Sequence, residues 1–98
     1  MIAPKGRIGS VTAPVFEEAL TAAFAAAPRV IVDLTDVDYI SGAGIRALQQ
    51  TAAANGGRTI LCGVHDAVRI ALELSRAVAH VVVVNNRQEA LESLITNH

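Results

Sequence analysis

Short apolar runs alternate along the chain with longer segments in which apolar residues recur every three or four positions. The run Val30–Leu34 is rich in β-branched residues and is typical of a strand buried on both faces. Similar runs predict strands over Arg58–Cys62 and Val81–Val84, and the second of these is the strongest local strand signal in the chain. The segment Ile2–Ile8 is interrupted by a proline and a glycine, so it predicts only a short strand at a sheet edge.

The longer segments predict four amphipathic helices. The first spans Thr12–Ala27, is capped by its first residue and is ended by Pro28. The third follows Asp66, which is its expected N-cap, and the fourth follows Asn86 and Glu89, which form a capping box.

The second helix is predicted over about Ala43–Ala54. The period places one set of side chains inward, namely Ile45, Leu48 and Ala52, and another set outward, namely Arg46, Gln49 and Gln50. The residues Asn55-Gly56-Gly57 tolerate a left-handed conformation and close the helix.

Strands that alternate with helices of about ten residues imply crossover connections, which lay the strands down in parallel. We therefore predict a small α/β sandwich in a single domain, residues 1–98, with a central mixed, mostly parallel sheet of four to five strands and about four helices. Leu34 and Val82 are placed at the centre of this two-sided sheet.

Composition and charge exclude several classes of function. A net charge of −1, with no run of Lys or Arg, argues against direct binding to nucleic acid. The single cysteine, Cys62, excludes an internal disulfide, and its position at the end of an apolar run predicts an inert buried thiol. No apolar stretch reaches the roughly 18 residues that cross a bilayer, and no signal peptide is evident, so we expect a cytoplasmic location without membrane insertion.

The segment before the second helix is acidic at first and then almost free of side chains. Asp36 and Asp38, together with Asp33, predict a solvated loop edge rather than a pair of catalytic carboxylates. Ser41-Gly42-Ala43-Gly44 then leaves bare backbone N–H groups at a helix N-terminus, which favours an anion or an acceptor group of a partner. A tight turn that needs small residues for packing explains the glycines equally well.

The residue patterns needed for catalysis are missing. His65, His80 and His98 are scattered, so they do not form a metal-binding motif. Gly42-Ala43-Gly44 lacks the later glycine of a dinucleotide site, and Ser41 lies in no nucleophile motif. We therefore expect no enzymatic activity, no cofactor and no metal.

From about Gly6 to Ile95 the chain resembles the STAS domain family, in particular the free-standing anti-sigma factor antagonists of bacteria. Two segments carry the resemblance, Val30–Leu34 and Tyr39–Leu48, with support in the same order from residues 55–64, 68–74 and 89–91. The resemblance implies a STAS-type sandwich. Because the chain is short before Gly6, we expect the first strand of the family to be trimmed.

The resemblance also implies a phosphorylation switch that this chain has altered. In the family, a partner kinase that is itself an anti-sigma factor phosphorylates a serine at the second small position of the segment. Here the first small position is Ser41, the phosphoacceptor position is Gly42 and the turn glycine is Gly44. Gly42 has no hydroxyl, so only Ser41 offers a substitute. We favour permanent binding competence, because the Ser41 hydroxyl can instead cap the next helical turn.

The resemblance implies a protein-interaction module that binds an anti-sigma factor or a GHKL-type serine kinase and so frees a sigma factor. The partner-binding residues that it implies are Asp36, Asp38, Ser41, Gly42, Ala43, Gly44, Arg46 and Gln49. A phosphate beside Asp36 and Asp38 is expected to weaken docking through repulsion. Two other functions stay open, a STAS subunit of an ABC-type lipid or solute transport complex and a small-ligand or nucleotide sensor, and homodimerisation is also left open.

Overall fold

The structure, a computed structural model, describes residues 1–54, 59–75 and 81–96. In chain order the elements are β1 (Gly6–Ile8), α1 (Ala13–Ala26), β2 (Val30–Asp33), β3 (Val37–Ile40), α2 (Gly42–Ala54), β4 (Thr59–Cys62), α3 (Asp66–Leu74), β5 (Val81–Val83) and α4 (Arg87–Thr96). The predicted α/β class and the four helices are confirmed. The predicted closure at Asn55-Gly56-Gly57, as well as Arg58, His80 and His98, lies outside the described residues.

The described strands pair in parallel and form two sheets, where a single mixed sheet was predicted. β2, β4 and β5 form a three-stranded sheet in that order, and β1 pairs with β3. Ile2 links the two sheets: its N–H donates to the Ile31 carbonyl at 2.9 Å, and its carbonyl accepts from the Asp33 N–H at 2.8 Å. The segment 2–8 therefore runs beside β2 and then beside β3. Pro4, which has no N–H to donate, lies between the two pairings.

β3 lies in a segment where the sequence predicts only an acidic loop, so this prediction is wrong. The four residues of β3 are buried, exposed, exposed and buried in turn, a pattern that lacks the strict alternation of a half-buried strand. Pairing with β1 holds the strand in place, because the Gly6 N–H donates to the Asp36 carbonyl and the Ser41 N–H donates to the Ile8 carbonyl, each at 2.8 Å.

Two apolar clusters fill the interior. The larger cluster joins the strands to α1, α2 and α3 and includes Phe16, Leu20, Leu34, Val37, Leu48, Leu61, Val68 and Leu72. The smaller cluster lies against α4 and consists of Ile31, Ile60, Cys62 and Ala90. The inward set predicted for α2 is confirmed, since Ile45, Leu48 and Ala52 are buried. In the outward set, Arg46 and Gln50 are exposed and Gln49 is half-buried.

The four-valine run is not the sheet centre that its sequence predicts. β5 is the last strand of the order β2, β4, β5, and Val82 is 47% exposed. A valine run indicates a strand but carries no information about strand order, because the order depends on where the crossover helices return the chain.

Helix α1 begins and ends near the predicted residues, but Thr12 does not cap it. The Thr12 hydroxyl accepts from the Gly9 N–H at 2.9 Å and donates to the Arg7 carbonyl at 3.1 Å, and makes no cap hydrogen bond to α1. These bonds join the turn before α1 to the end of β1. At the other end, Ala27 is extended and Pro28 follows, as the sequence predicts.

The starts of α3 and α4 differ in detail from the predictions. His65 occupies the N-cap position of α3, and Asp66 is the first helical residue. At α4 the capping box is half formed, because Asn86 Oδ1 accepts from the Glu89 N–H at 2.9 Å. The Glu89 carboxylate accepts instead from the Asn85 N–H at 3.0 Å. Among the described residues, no helix is long and apolar enough to cross a membrane.

Candidate functional site

The N-terminus of α2 follows β3 directly, with Ser41 as the connecting residue. The half-buried Ser41 hydroxyl accepts from the Gly44 N–H at 3.2 Å, and the Ser41 carbonyl accepts from the Ile45 N–H at 2.9 Å. Ser41 is therefore the N-cap of α2, and the predicted capping role of its hydroxyl is confirmed.

The two glycines of this turn have different structural roles. A Cβ at Gly44 would lie 2.7 Å from Ile8 Cγ2 and 2.8 Å from Ile40 Cγ1, so the close approach of α2 to β1 and β3 requires glycine there. A Cβ at the exposed Gly42 would meet nothing within 4 Å. Packing thus explains Gly44, whereas Gly42 leaves an open position at the start of the helix.

We use the name docking face for the predicted partner-binding residues of β3 and α2 that are exposed or half-buried, together with the Ser41 that connects the two elements, namely Asp38, Ser41, Gly42, Ala43, Arg46 and Gln49. Asp38, Gly42 and Arg46 are exposed on this face. Gln49 is half-buried and its side-chain amide donates to the Ser75 carbonyl at 3.2 Å, which joins α2 to the end of α3. Gly44, which was predicted to bind a partner, is buried beneath the face.

Asp36 is separated from the rest of the predicted set. It precedes β3, whereas Ser41 follows it, and a strand rise of about 3.3 Å per residue puts roughly 16 Å between the two. This separation exceeds the screening length of about 8 Å at physiological salt, so the Asp36 carboxylate adds little repulsion to a charge at the helix start. Asp38 is the nearer acid, at about 10 Å by the same rise.

Asp36 lies instead in a polar cleft of about 570 Å³ at the carboxyl ends of β2 and β5 and the start of α4. The cleft is lined by Asp33, Thr35, Asp36, Asn85, Asn86, Arg87 and Gln88. In open α/β sheets, this is the edge where ligand sites usually form.

Asp33 is the buried acid of this cleft, and its predicted place in a solvated loop edge is wrong. Its carboxylate accepts from the Thr35 N–H at 3.0 Å, from the Thr35 hydroxyl and from the Arg87 guanidinium. Burial alone would raise the pKa of Asp33, but these donors and the charge of Arg87 outweigh it and hold the pKa below its ordinary value. Asp36 and Asp38 are exposed, as predicted.

The loop after β4 packs closely against the turn after β2. Gly63 has a φ of +68°, and a Cβ there would lie 2.1 Å from the Thr35 hydroxyl oxygen. His65 Nε2 lies 2.6 Å from the Thr35 carbonyl oxygen.

Cys62 is buried next to this network, and burial together with the charge of Asp33 raises the pKa of its thiol, as expected for an unreactive cysteine. Within the described part of the chain, no three His, Cys, Asp or Glu residues are placed to hold a metal ion.

We expect Arg87→Gln to lower the melting temperature at pH 7 by roughly 5 °C. The pKa of Asp33 is lower in the folded chain than its unfolded value of about 3.9, so the ion pair stabilises the fold above that pH and its contribution is lost as pH falls through the folded pKa. The difference in melting temperature between wild type and variant should therefore become smaller below about pH 4. Thermal melts from pH 7 to pH 3 measure it, with Arg46→Gln as the control at an exposed arginine. A gap that stays constant across this range would show that Arg87 acts through packing alone.

The chain has the same fold as several proteins of known structure. No curated protein sequence is detectably similar to the chain. An anti-sigma factor antagonist from Mycobacterium paratuberculosis has a similar fold, with a TM-score of 0.83 and 24% identity over 94% of this chain and 82% of that chain. A Thermotoga maritima protein proposed to be such an antagonist has a TM-score of 0.81 and 16% identity over 92% and 81% of the two chains.

The unphosphorylated form of the anti-sigma factor antagonist SpoIIAA is similar over 99% of this chain and 89% of its own, with a TM-score of 0.69 and 13% identity. These identities are low, so the three structures support the fold alone. The family model of the STAS domain matches residues 1–90, which is most of the chain. The chain therefore belongs to the STAS domain family.

Proposed function

We propose that this protein is an anti-sigma factor antagonist, which binds an anti-sigma factor through the docking face and so frees a sigma factor. The observation that carries the proposal is the exposed start of α2, where Gly42 leaves an open position beside the Ser41 cap. Membership in the STAS family supports the same role, and the chain shares its fold with proteins named as such antagonists. The role places the protein in the cytoplasm, where sigma factors act.

The docking face supplies three kinds of contact to a partner. The first turn of α2 has backbone N–H groups without intrahelical acceptors, and its helix dipole favours a carboxylate or carbonyl oxygen. Arg46, one turn further along, supplies an exposed cation for a bidentate contact with an acid of the partner. Because Gly42 and Ala43, the first two residues of α2, are small, the partner backbone can approach closely.

The proposed antagonist is permanently competent to bind. A phosphoacceptor is missing at position 42, and the Ser41 hydroxyl is half-buried in its bond to the Gly44 N–H. A kinase that used Ser41 would have to release this cap, whose loss typically costs about 0.5 to 2 kcal/mol. The proposed partner is an anti-sigma factor that is also a serine kinase. This kinase does not phosphorylate the chain.

We expect Arg46→Glu to weaken binding to the anti-sigma factor by about tenfold or more, because arginines at the centre of interfaces often dominate binding. The melting temperature should stay within a few degrees of wild type, since exposed substitutions usually change stability by less than about 0.5 kcal/mol. Titration calorimetry with the anti-sigma factor captured from native cells measures the affinity.

Lys5→Glu is the matched control, because Lys5 is also exposed and the change in charge is the same, but the residue lies outside the docking face. An equal loss of affinity in both variants would indicate a general charge effect and would remove the support for the docking face. Capture of a transporter ATPase in place of an anti-sigma factor would contradict the proposed function and favour the transport complex.

A further inference from the structure

An apolar groove lies between the N-terminal segment 2–8 and the first turns of α1. We call it the N-terminal groove, and its apolar lining includes Ile2, Pro4, Ile8, Val15, Phe16 and Ala19. Its volume is about 420 Å³, within the range of about 300 to 1,000 Å³ that is usual for small-molecule sites. No residue of the docking face lines it, so the groove is separate from the proposed partner interface.

The groove has a fixed floor and an exposed apolar wall. Ile8 and Phe16 are buried at its base, whereas Val15 on α1 is 66% exposed. The Thr12 hydroxyl links the Gly9 N–H to the Arg7 carbonyl, which fixes the turn that joins the two sides. The groove is therefore preformed. The Val15 side chain contributes apolar surface to it that is exposed to solvent.

The charge around the groove has one sign. Lys5 and Arg7 are part of its lining, which includes no Asp or Glu. Within the described residues neither cation has an acidic partner, and the Arg7 guanidinium lies 4.6 Å from the centre of the Tyr39 ring. The acids of α1, Glu17 and Glu18, line a different surface depression. An occupant that neutralises these cations must carry negative charge.

We propose that the N-terminal groove binds an amphiphilic anion of the medium-chain carboxylate class. The acyl chain lies along Val15, Phe16 and Ile8, and the carboxylate accepts charge-assisted hydrogen bonds from Lys5 and Arg7. A neutral apolar ligand would leave the two cations unused, and a free inorganic anion would leave the apolar wall uncovered. This ligand is independent of the proposed anti-sigma partner.

Calorimetry and amide NMR with decanoate, below its micelle concentration, test the proposal on the full chain. We expect saturable binding, with shift changes confined to residues 2–8 and 12–19. Affinity for decanoate should exceed that for decanol and for decyltrimethylammonium by roughly tenfold. Equal affinity for the three head groups, shift changes elsewhere or no saturable binding would overturn the proposal, as would self-association of the chain through this groove.

Val15→Asp should abolish decanoate binding, because it puts an anion against the acyl chain at an exposed position where the fold tolerates it. Val11→Asp is the matched control, since Val11 is 87% exposed and does not line the groove. The proposal predicts that the control binds like wild type. An equal loss in both variants would contradict it.

Discussion

Leu34→Ala is expected to lower the free energy of unfolding by about 2 to 4 kcal/mol, the range seen when a buried leucine is truncated in a core that relaxes little. Leu34 is fully buried just after β2, in the cluster that joins the strands to α1, α2 and α3. Urea titration followed by circular dichroism measures the change. Among single substitutions in the apolar core, we expect this to be one of the largest effects.

Val82→Ala is the control for this prediction, because both residues belong to apolar runs that predict strands but they differ in exposure. Val82 is 47% exposed on the edge strand β5, so its truncation should cost less than about 1 kcal/mol. Equal losses at the two positions, or a loss below about 1 kcal/mol at Leu34, would show that β5 does not form the edge or that Leu34 is not in the core.

The contrast between Leu34 and Val82 shows what the sequence can predict about this fold. Local apolar runs indicate strands, and helical periods indicate the buried stripe of α2, because both depend on neighbouring residues. Strand order depends on crossovers between distant segments, so the edge position of β5 could not be predicted. β3 was missed because its stability comes from hydrogen bonds to β1 rather than from an alternating pattern.

A second large effect is expected from Gly42→Ser, which puts a serine at the position where the family resemblance implies a phosphoacceptor. A serine side chain fits there, because a Cβ at Gly42 meets nothing within 4 Å. Incubation with the partner kinase and ATP should add one phosphate to this variant and none to wild type, as read by intact mass. The phosphate adds about −1.5 to −2 charges at the docking face, and we expect it to weaken binding by about tenfold or more.

Ser41→Ala is the control for the position of the switch. It removes the cap of α2 and should cost about 0.5 to 2 kcal/mol of stability. Like the wild-type chain, this variant should gain no phosphate by intact mass. If the wild-type chain gains a phosphate and the Ser41→Ala variant does not, Ser41 is the phosphorylation site. This result would contradict permanent competence.

The site was predicted less completely than the fold. The family resemblance predicted a partner site at the start of α2, and the structure separates Gly44, which packs against Ile8 and Ile40, from the open position at Gly42. The Asp33–Arg87 pair was missed because its members are 54 residues apart in the sequence. The sequence did contain one signal for this pair. Asp33 lies within the apolar run Val30–Leu34, and a carboxylate buried in such a run needs hydrogen-bond donors or a cation.

The central claim is that the chain binds its anti-sigma factor without phosphorylation control. The most direct test is the Kd of the wild-type chain for that partner, measured by titration calorimetry before and after incubation with the kinase and ATP. We predict the same Kd in both states, with the Gly42→Ser variant losing affinity only after incubation. A loss of wild-type affinity that depends on ATP, or no binding in either state, would contradict the claim.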